Sequence, residues 1–433
     1  MRIKENISPS KQLYLTVWRW HFFAAWFVIP FALLLSVTGT IYLLKPYVEP
    51  WLYRDLIVVD RTGDSSAEPV SLSDQQRIAE SFVAKGKANS VRVGQGNRSS
   101  EFIVSTPDRT KYMVYVDPYD GTLIGGMQRD KTLMRRVRKL HGELMMGWLG
   151  SALVELTACW LIVMLLSGIY LGWPRGRFRF AGFFYPRLTA VSDSGRRLFW
   201  RDIHVVVAVY SSLGIMLLLV TGLPWTNVWG GAFKRVQAVS GQARPVAGGR
   251  FVRLKSPPPI KSSEHPRMTL DDAANLAKQM EFPVTSADFT ITLPSGKDGV
   301  YGFQLQPNQP SGFRAAYVNQ YDSHVVAAAS WNDFPLSSKA VTTGIRLHQG
   351  ELFGIANVLF MMFAALSLIP ISISGLIMWY KRRPSGGLGI PPAPTTLSGQ
   401  RLVAVIIVSL AILLPLFGAS LIVLGVGSYV KRR

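Results

Sequence analysis

Apolar residues gather into five runs along the chain, at about His21–Leu44, Leu144–Trp173, Ile203–Trp225, Leu352–Tyr380 and Leu402–Tyr429. A helix needs about 20 such residues to cross a hydrocarbon core of about 30 Å, so each run predicts a membrane-spanning helix. The first is longer than a signal-peptide core and leads into Leu44-Lys45-Pro46-Tyr47 with no small-residue cleavage site, which predicts a retained anchor. Between runs one and two, and again between three and four, the pattern changes to a capped helix followed by alternating strands. Met268-Thr269-Leu270-Asp271-Asp272 opens an amphipathic helix with acids in its first turn, and Asp288–Thr292 and Tyr301–Leu305 alternate as strands do. Ser71-Leu72-Ser73-Asp74, Glu101–Ser105 and Lys111–Val116 follow the same order in the earlier segment. The stretch Ser256-Pro257-Pro258-Pro259 reads as a linker.

The 433 residues carry 47 Lys and Arg against 26 Asp and Glu, a formal charge of +21. All of these cations fall outside the five runs. The short segments 174–202 and 381–401 are densely basic, with Arg175, Arg177, Arg179, Arg187, Arg196, Arg197 and Arg201 in the first alone. The positive-inside rule puts both segments and the N-terminus in the cytoplasm and the two long loops outside. Lys431-Arg432-Arg433, left outside by an odd number of spans, departs from that rule. The positive charge is therefore mostly topology and does not point to nucleic acid. A single cysteine, Cys159, excludes an internal disulfide, a C-x-x-C redox pair and a Cys-based zinc or iron–sulfur site.

The chain reads as built twice. Lys139-Leu140-His141-Gly142-Glu143-Leu144 stands at the second run, and Arg346-Leu347-His348-Gln349-Gly350-Glu351-Leu352 at the fourth. Val116-Asp117-Pro118-Tyr119-Asp120 matches Val318-Asn319-Gln320-Tyr321-Asp322, and Trp18-Arg19-Trp20-His21 resembles Trp200-Arg201-Asp202-Ile203-His204. The first four runs each hold a Ser/Thr-Gly dipeptide: Thr38-Gly39, Ser167-Gly168, Thr221-Gly222 and Ser374-Gly375. From His to Gly the distance is 18 residues in runs one and three and 27 in runs two and four.

Four of the six histidines, His21, His141, His204 and His348, thus stand at membrane borders, while His265 and His324 belong to the second long loop. Alternating span direction puts His21 with His204 at the cytoplasmic border and His141 with His348 at the outer one. Two neutral imidazoles on facing helices are the minimum for axial ligation of a haem iron, so the arrangement points to two b-type haems stacked across the membrane. Eighteen residues are five helical turns, about 27 Å. That interval sets Gly39 and Gly222 on the face of His21 and His204 near the outer border, where a small residue lets a helix approach the second haem. Twenty-seven residues are seven and a half turns on an ideal helix, so Gly168 and Gly375 gain no such alignment. Arg19, Arg201, Arg138 and Arg346 stand two or three residues from the histidines and suit haem propionates or lipid headgroups. Plain interfacial histidines and plain helix packing are the alternatives. His348-x-x-Glu351 also suits a non-haem metal, although His141 and Glu143 are two apart and face differently. Glu155, deep in the second run, reads as a proton or quinol site or as a hydrogen-bonded structural acid.

Several phrases resemble one family, the PepSY-associated transmembrane proteins, also called iron-regulated membrane proteins, some of which are inner-membrane ferrisiderophore reductases. They are Leu140-His141-Gly142-Glu143-Leu144, Glu155-Leu156-Thr157-Ala158-Cys159-Trp160, Ser167-Gly168-Ile169-Tyr170-Leu171-Gly172-Trp173-Pro174-Arg175 and Ser374-Gly375-Leu376-Ile377-Met378-Trp379-Tyr380-Lys381-Arg382-Arg383-Pro384. The resemblance covers most of residues 12–385 and leaves out the fifth run. It implies PepSY-like outward modules and a b-haem membrane protein that passes electrons to a ferric complex in the periplasm.

The expected architecture is a mainly α integral protein of the bacterial inner membrane. A duplicated four-helix transmembrane core plus a fifth helix carries two periplasmic α+β PepSY-like domains. The segments are 1–44 (N-terminus and first span), 45–140 (first domain), 141–173 (second span), 174–202 (basic loop) and 203–225 (third span). Residues 226–347 form the second domain, 348–380 the fourth span, 381–401 a cytoplasmic loop and 402–433 the fifth span and tail. The expected function is electron transfer through two haems to a periplasmic ferric chelate such as a ferrisiderophore. The cytoplasmic segments hold no Gly-rich dinucleotide motif, so no NAD or flavin domain is expected and the donor is external, a quinol or a soluble reductase. Two other classes stay open: a transporter of siderophore, haem or metal, and a membrane-anchored PepSY module that binds a periplasmic partner. Trp331-Asn332-Asp333-Phe334-Pro335 reads as an exposed loop.

Overall fold

A computed structural model describes residues 9–59, 68–175, 180–188, 193–245, 267–393 and 401–430. His265, the linker at 256–259 and the C-terminal Lys431-Arg432-Arg433 lie outside the described residues. The chain opens with α1 (Pro9–Leu43), followed by α2 (Lys45–Leu52), α3 (Arg54–Ile57) and α4 (Leu72–Ser81). Four strands follow, β1 (Lys87–Arg92), β2 (Ser100–Ser105), β3 (Lys111–Val116) and β4 (Leu123–Gln128). Then come α5 (Leu133–Glu143), α6 (Trp148–Gly172), α7 (Asp193–Gly222) and α8 (Trp229–Val239). A helix and four strands recur as α9 (Leu270–Gln279), β5 (Phe289–Thr292), β6 (Val300–Leu305), β7 (Arg314–Asn319) and β8 (Val325–Ser330), leading into α10 (Leu336–His348) and α11 (Gly354–Arg382). The described chain closes with α12 (Arg401–Leu413) and α13 (Pro415–Val430).

Two compact units share this chain, one made of Met1–Leu43, Val137–Arg235 and Leu347–Arg433, the other of Leu44–Arg136 and Val236–Arg346. In the first, α1, α6, α7 and α11 are long and apolar enough to cross a membrane. They close into a ring, with α11 packed along α7 and α1, and α6 along α1 and α7. The fifth apolar run is not one spanning helix. It breaks at Leu414 into α12 and α13, of 13 and 16 residues, each short of the about 20 that a crossing needs. Pro415 causes the break, because it lacks an N–H and disfavours helical backbone at the residue before it. The pair still packs on the bundle: Trp160 meets Phe417 edge-on at 4.9 Å and its Nε1 donates to Ser420 Oγ at 3.2 Å.

The second unit departs from the expected pair of separate domains. All eight strands form one antiparallel sheet in the order β4-β3-β2-β1-β5-β6-β7-β8. The seam is short, pairing Ser90 with Thr292 and Val91 with Ile291, and Leu293 N–H adds a bond to the Asn89 carbonyl at 2.8 Å. Alternate residues on either side of it, Val91, Phe102, Val104 and Val114, then Phe289, Ile291 and Phe303, enter a single core beneath α4 and α9. Both helices start as their sequences predict. Ser71 caps α4 by accepting the Asp74 N–H, and Thr269 with Asp272 forms a capping box on α9. Asp271 joins the halves, since its carboxylate accepts the N–H groups of Leu72 (2.7 Å) and Ser73 (3.0 Å) and the Ser73 hydroxyl. One half thus caps the other half's helix.

Replacing that acceptor tests the junction. Asp271→Ala is expected to cost about 1–2 kcal/mol, the usual loss of a helix cap, read as a lower midpoint in thermal unfolding of the purified full-length protein. An unchanged midpoint would show that Asp271 carries no such role.

Candidate cofactor site: four border histidines

Each border histidine docks on a Ser/Thr-Gly dipeptide of a neighbouring helix. His21 Nδ1 lies 2.9 Å from Ser167 Oγ, and His141 Nδ1 lies 3.0 Å from Thr38 Oγ1. His348 Nδ1 lies 3.0 Å from Thr221 Oγ1. His204 Nδ1 stands 3.2 Å from Ser374 Oγ and 2.9 Å from the Ile371 carbonyl. The glycine of each dipeptide makes room for the ring. A Cβ at Gly39 would meet His141 Cε1 at 3.0 Å, and one at Gly168, Gly222 or Gly375 would meet Cε1 of His21, His348 or His204 at 3.3, 3.4 or 3.5 Å. All four glycines therefore seat a histidine, including the two for which ideal-helix spacing promised nothing.

The hydrogen bonds assign the protons. Each docking hydroxyl donates to its own helix: Thr38 to the Leu34 carbonyl, Thr221 to Leu217, Ser374 to Pro370 and Ser167 to Met164. A hydroxyl has one proton, so it offers the ring only lone pairs and Nδ1 must be the donor. Each neutral imidazole then carries its hydrogen on Nδ1 and keeps a lone pair on Nε2. Metal-ligating histidines are oriented in this way, one ring nitrogen bonded to a protein oxygen and the other free for the metal.

His21 and His204 lie within electrostatic reach of one another, as do His141 and His348. The two pairs occupy opposite ends of the bundle, because Thr38 lies 17 residues beyond His21 on α1, about 25 Å of helix rise. Trp225 flanks the second pair, stacked on His348 with centroids 6.4 Å apart.

Contrary to the expectation that they begin the second and fourth spans, His141 and His348 lie outside those helices. They sit at the ends of the separate helices α5 and α10. Beyond them the chain passes through left-handed backbone at Leu144 (φ 47°), Met145 (58°) and Gly147 (59°), and at Gly350 (74°) and Gly354 (59°). Such backbone costs a non-glycine residue roughly 1–2 kcal/mol. The break cancels the half-turn misfit of the 27-residue interval, since no single helix joins His to Gly. It also takes Glu351 off the helix of His348, so the His-x-x-Glu face does not form. Among the described residues no three or more His, Cys, Asp or Glu side chains stand together as a metal-binding group.

The candidate arginines differ. Arg19 donates to the Pro391 carbonyl at 2.6 Å, Arg201 stands 3.4 Å from Asp202, and Arg346 stands 3.4 Å from the Gln306 carbonyl. Asp202 is itself buried and held by a two-pronged ion pair with Arg187. Arg138 is the exception, because its Nε is buried with no hydrogen-bond partner, and so is the hydroxyl of Thr40 next to Gly39. Glu155 is buried within α6. Its two oxygens accept the N–H groups of Val228 (3.0 Å) and Trp229 (2.9 Å) at the start of α8. That is a helix cap, a partnership invisible in sequence because 73 residues separate Glu155 from Val228.

With four spanning helices and paired border histidines in place, the comparison with known families is informative. The family model of the PepSY-associated TM region matches residues 18–382. The chain belongs to that family. No curated protein matches it. This PepSY-associated protein is a multi-pass membrane protein whose outward apolar side chains, among them Phe23, Trp26, Leu213 and Phe363, contact lipid.

Two measurements check the site. In protein carrying 15N-labelled histidine, before any metal ligand is added, His21, His141, His204 and His348 are expected as Nδ1–H tautomers at neutral pH; Nε2–H signals would contradict the proton assignment. Glu155→Ala is expected to cost roughly 2–6 kcal/mol, because two part-buried N–H groups lose their acceptor at about 1–3 kcal/mol each, seen as a lower unfolding midpoint.

Proposed function

We propose that this PepSY-associated protein carries electrons across the bacterial inner membrane through two b-type haems and reduces a ferric complex, such as a ferrisiderophore, on the periplasmic side. His21 with His204 would hold one haem and His141 with His348 the other. The observation that carries this reading is the set of four Nδ1-anchored rings, each keeping an Nε2 lone pair, arranged as two pairs at the two ends of the bundle. A purely structural histidine needs no repeated device that withholds the proton from one nitrogen. Haem iron bound there would supply one-electron transfer between ferric and ferrous states.

The chain's own residues then have separable tasks. Ser167, Thr38, Ser374 and Thr221 set the tautomer and aim each ring, and the glycine beside each lets the ring sit against the helix backbone. Arg138 Nε and Thr40 Oγ1, buried polar atoms without partners, suit a haem propionate at the His141/His348 end, as expected for an orphaned donor in an apolar setting. Arg19, Arg201 and Arg346 belong to the same propionate proposal, although each already holds a protein oxygen. The donor is external, a quinol or a soluble reductase.

The visible spectrum of detergent-purified protein before and after dithionite, with a pyridine haemochrome count, tests the reading. Reduced b-type bands and about two haems per chain are expected. His204→Ala and His348→Ala should each remove one of them, and Thr38→Val should shift the redox midpoint of the His141/His348 haem while keeping it bound. A colourless protein from haem-sufficient cells would overturn the proposal and bring transport or partner binding to the front.

A further inference from the structure

The eight-stranded unit turns the same corner twice. Where β3 begins and β4 ends, a 3-10 turn at Arg129–Lys131 follows; where β7 begins and β8 ends, one at Trp331–Asp333 follows. The two corners are filled differently. At the second, the stretch that reads as an exposed loop in sequence keeps Asn332 and Asp333 exposed but packs its rings: Phe334 is 3% exposed and lies 5.0 Å from Phe313, beside Trp331. Lys339 and Arg244 cover these rings, 5.8 Å from Trp331 and 5.2 Å from Phe334. At the first corner no aromatic side chain fills the space, and a cleft of about 360 Å³ remains, lined by Asp108, Arg109, Lys111, Arg129, Asp130 and Arg135 among others.

Four cations face two carboxylates there, and the carboxylates are occupied. Asp108 accepts the hydroxyls of Thr106 and Thr110, and Asp130 stands 3.9 Å from Arg135. Among the described residues no ion pair or hydrogen bond engages the side chains of Arg109, Lys111 or Arg129. Burial, and then the neighbouring Arg135, hold the Arg129 guanidinium below its usual range, and the carboxylates of Glu101 and Asp130 offset this only in part. A half-buried cation beside another cation is costly unless an anion joins it.

We propose that this cleft binds a small oxyanion-rich ligand, carrying carboxylate or phosphate groups, between the guanidinium groups of Arg129 and Arg135, with Arg109 and Lys111 completing its charge. Guanidinium forks match such groups two bonds at a time, and the cleft falls in the roughly 300–1,000 Å³ range of small-molecule sites. The ligand is a free polyanion or the headgroup of an anionic lipid. This site does not depend on haem. A ferric polycarboxylate belongs to the same class, so the cleft could hold the substrate of the proposed reductase, a link that rests on that reading.

Isothermal titration of the full-length protein in neutral detergent with metal-free citrate, and with pyrophosphate, tests the cleft whether or not the chain carries haem. Saturable one-to-one binding that weakens with salt is expected. Arg129→Gln and Arg135→Gln should each weaken it about tenfold or more, and Lys111→Gln, a milder change, several-fold. Lys131→Gln removes an equal charge from the same turn outside the cleft and should leave binding unchanged, with all variants keeping the parent's unfolding midpoint. Loss of citrate binding in phosphatidylglycerol nanodiscs but not in phosphatidylcholine nanodiscs would support the site and name the headgroup as its occupant. Absence of saturable binding below about 10 mM for both anions, or equal weakening by Lys131→Gln, would overturn the proposal.

Discussion

The hydrogen bond from a border histidine's Nδ1 to a hydroxyl on the next helix organises the spanning unit. An imidazole in an apolar bundle cannot leave its N–H unpaired without a cost of about 1–3 kcal/mol, and here the acceptor comes from a residue whose own proton is already given to its helix backbone. The bond is used reciprocally. His21 reaches from α1 to Ser167 on α6, while Thr38 on α1 receives His141, which stands on α5 just before α6. The same exchange links α7 with α11 and α10 through His204 and His348. Each helix pair is thereby clamped at both ends. The glycine seats, the short helices α5 and α10 and the left-handed residues after them all serve to bring a ring to a hydroxyl.

The second unit obeys a different constraint. Two four-stranded sheets would each expose edge strands with unpaired backbone groups, a liability in any sheet. Pairing β1 with β5 spends one edge from each half and leaves only β4 and β8 at the margins of the combined sheet. Asp271 adds a polar tie across the same junction. Once the backbone is shared, the two halves are free to diverge at their ends, and they do: one corner is closed by Phe313, Trp331 and Phe334, the other is open and cationic.

Much of this was legible before any coordinates. Apolar runs of 20 or more residues leave little choice but a helix in lipid, because no other single segment satisfies its own backbone there. The capped starts of α4 and α9 and the alternation of β2, β3, β5 and β6 follow from local bonding and the two-residue period of a strand. Ser/Thr-Gly beside every span marked positions of importance. The sequence did not reveal that the hydroxyl, rather than the glycine alone, answers the histidine. Nor did it reveal the breaks after His141 and His348, since Leu144 and Met145 adopt left-handed backbone that neither residue favours by itself.

By itself, then, the sequence determined the first four long spanning helices, though not the division of the fifth apolar run, together with the order of elements in each of the two long segments between spans and the presence of one histidine near each of those four spans. Those properties depend on residues close together in the chain, through helical and strand periodicity and local caps. Only the tertiary structure decided which ring meets which hydroxyl, that Glu155 caps α8, and that the two long segments between spans make one sheet. These outcomes depend on partners separated by about 70 to 200 residues, and on filling space at contacts that no local pattern encodes.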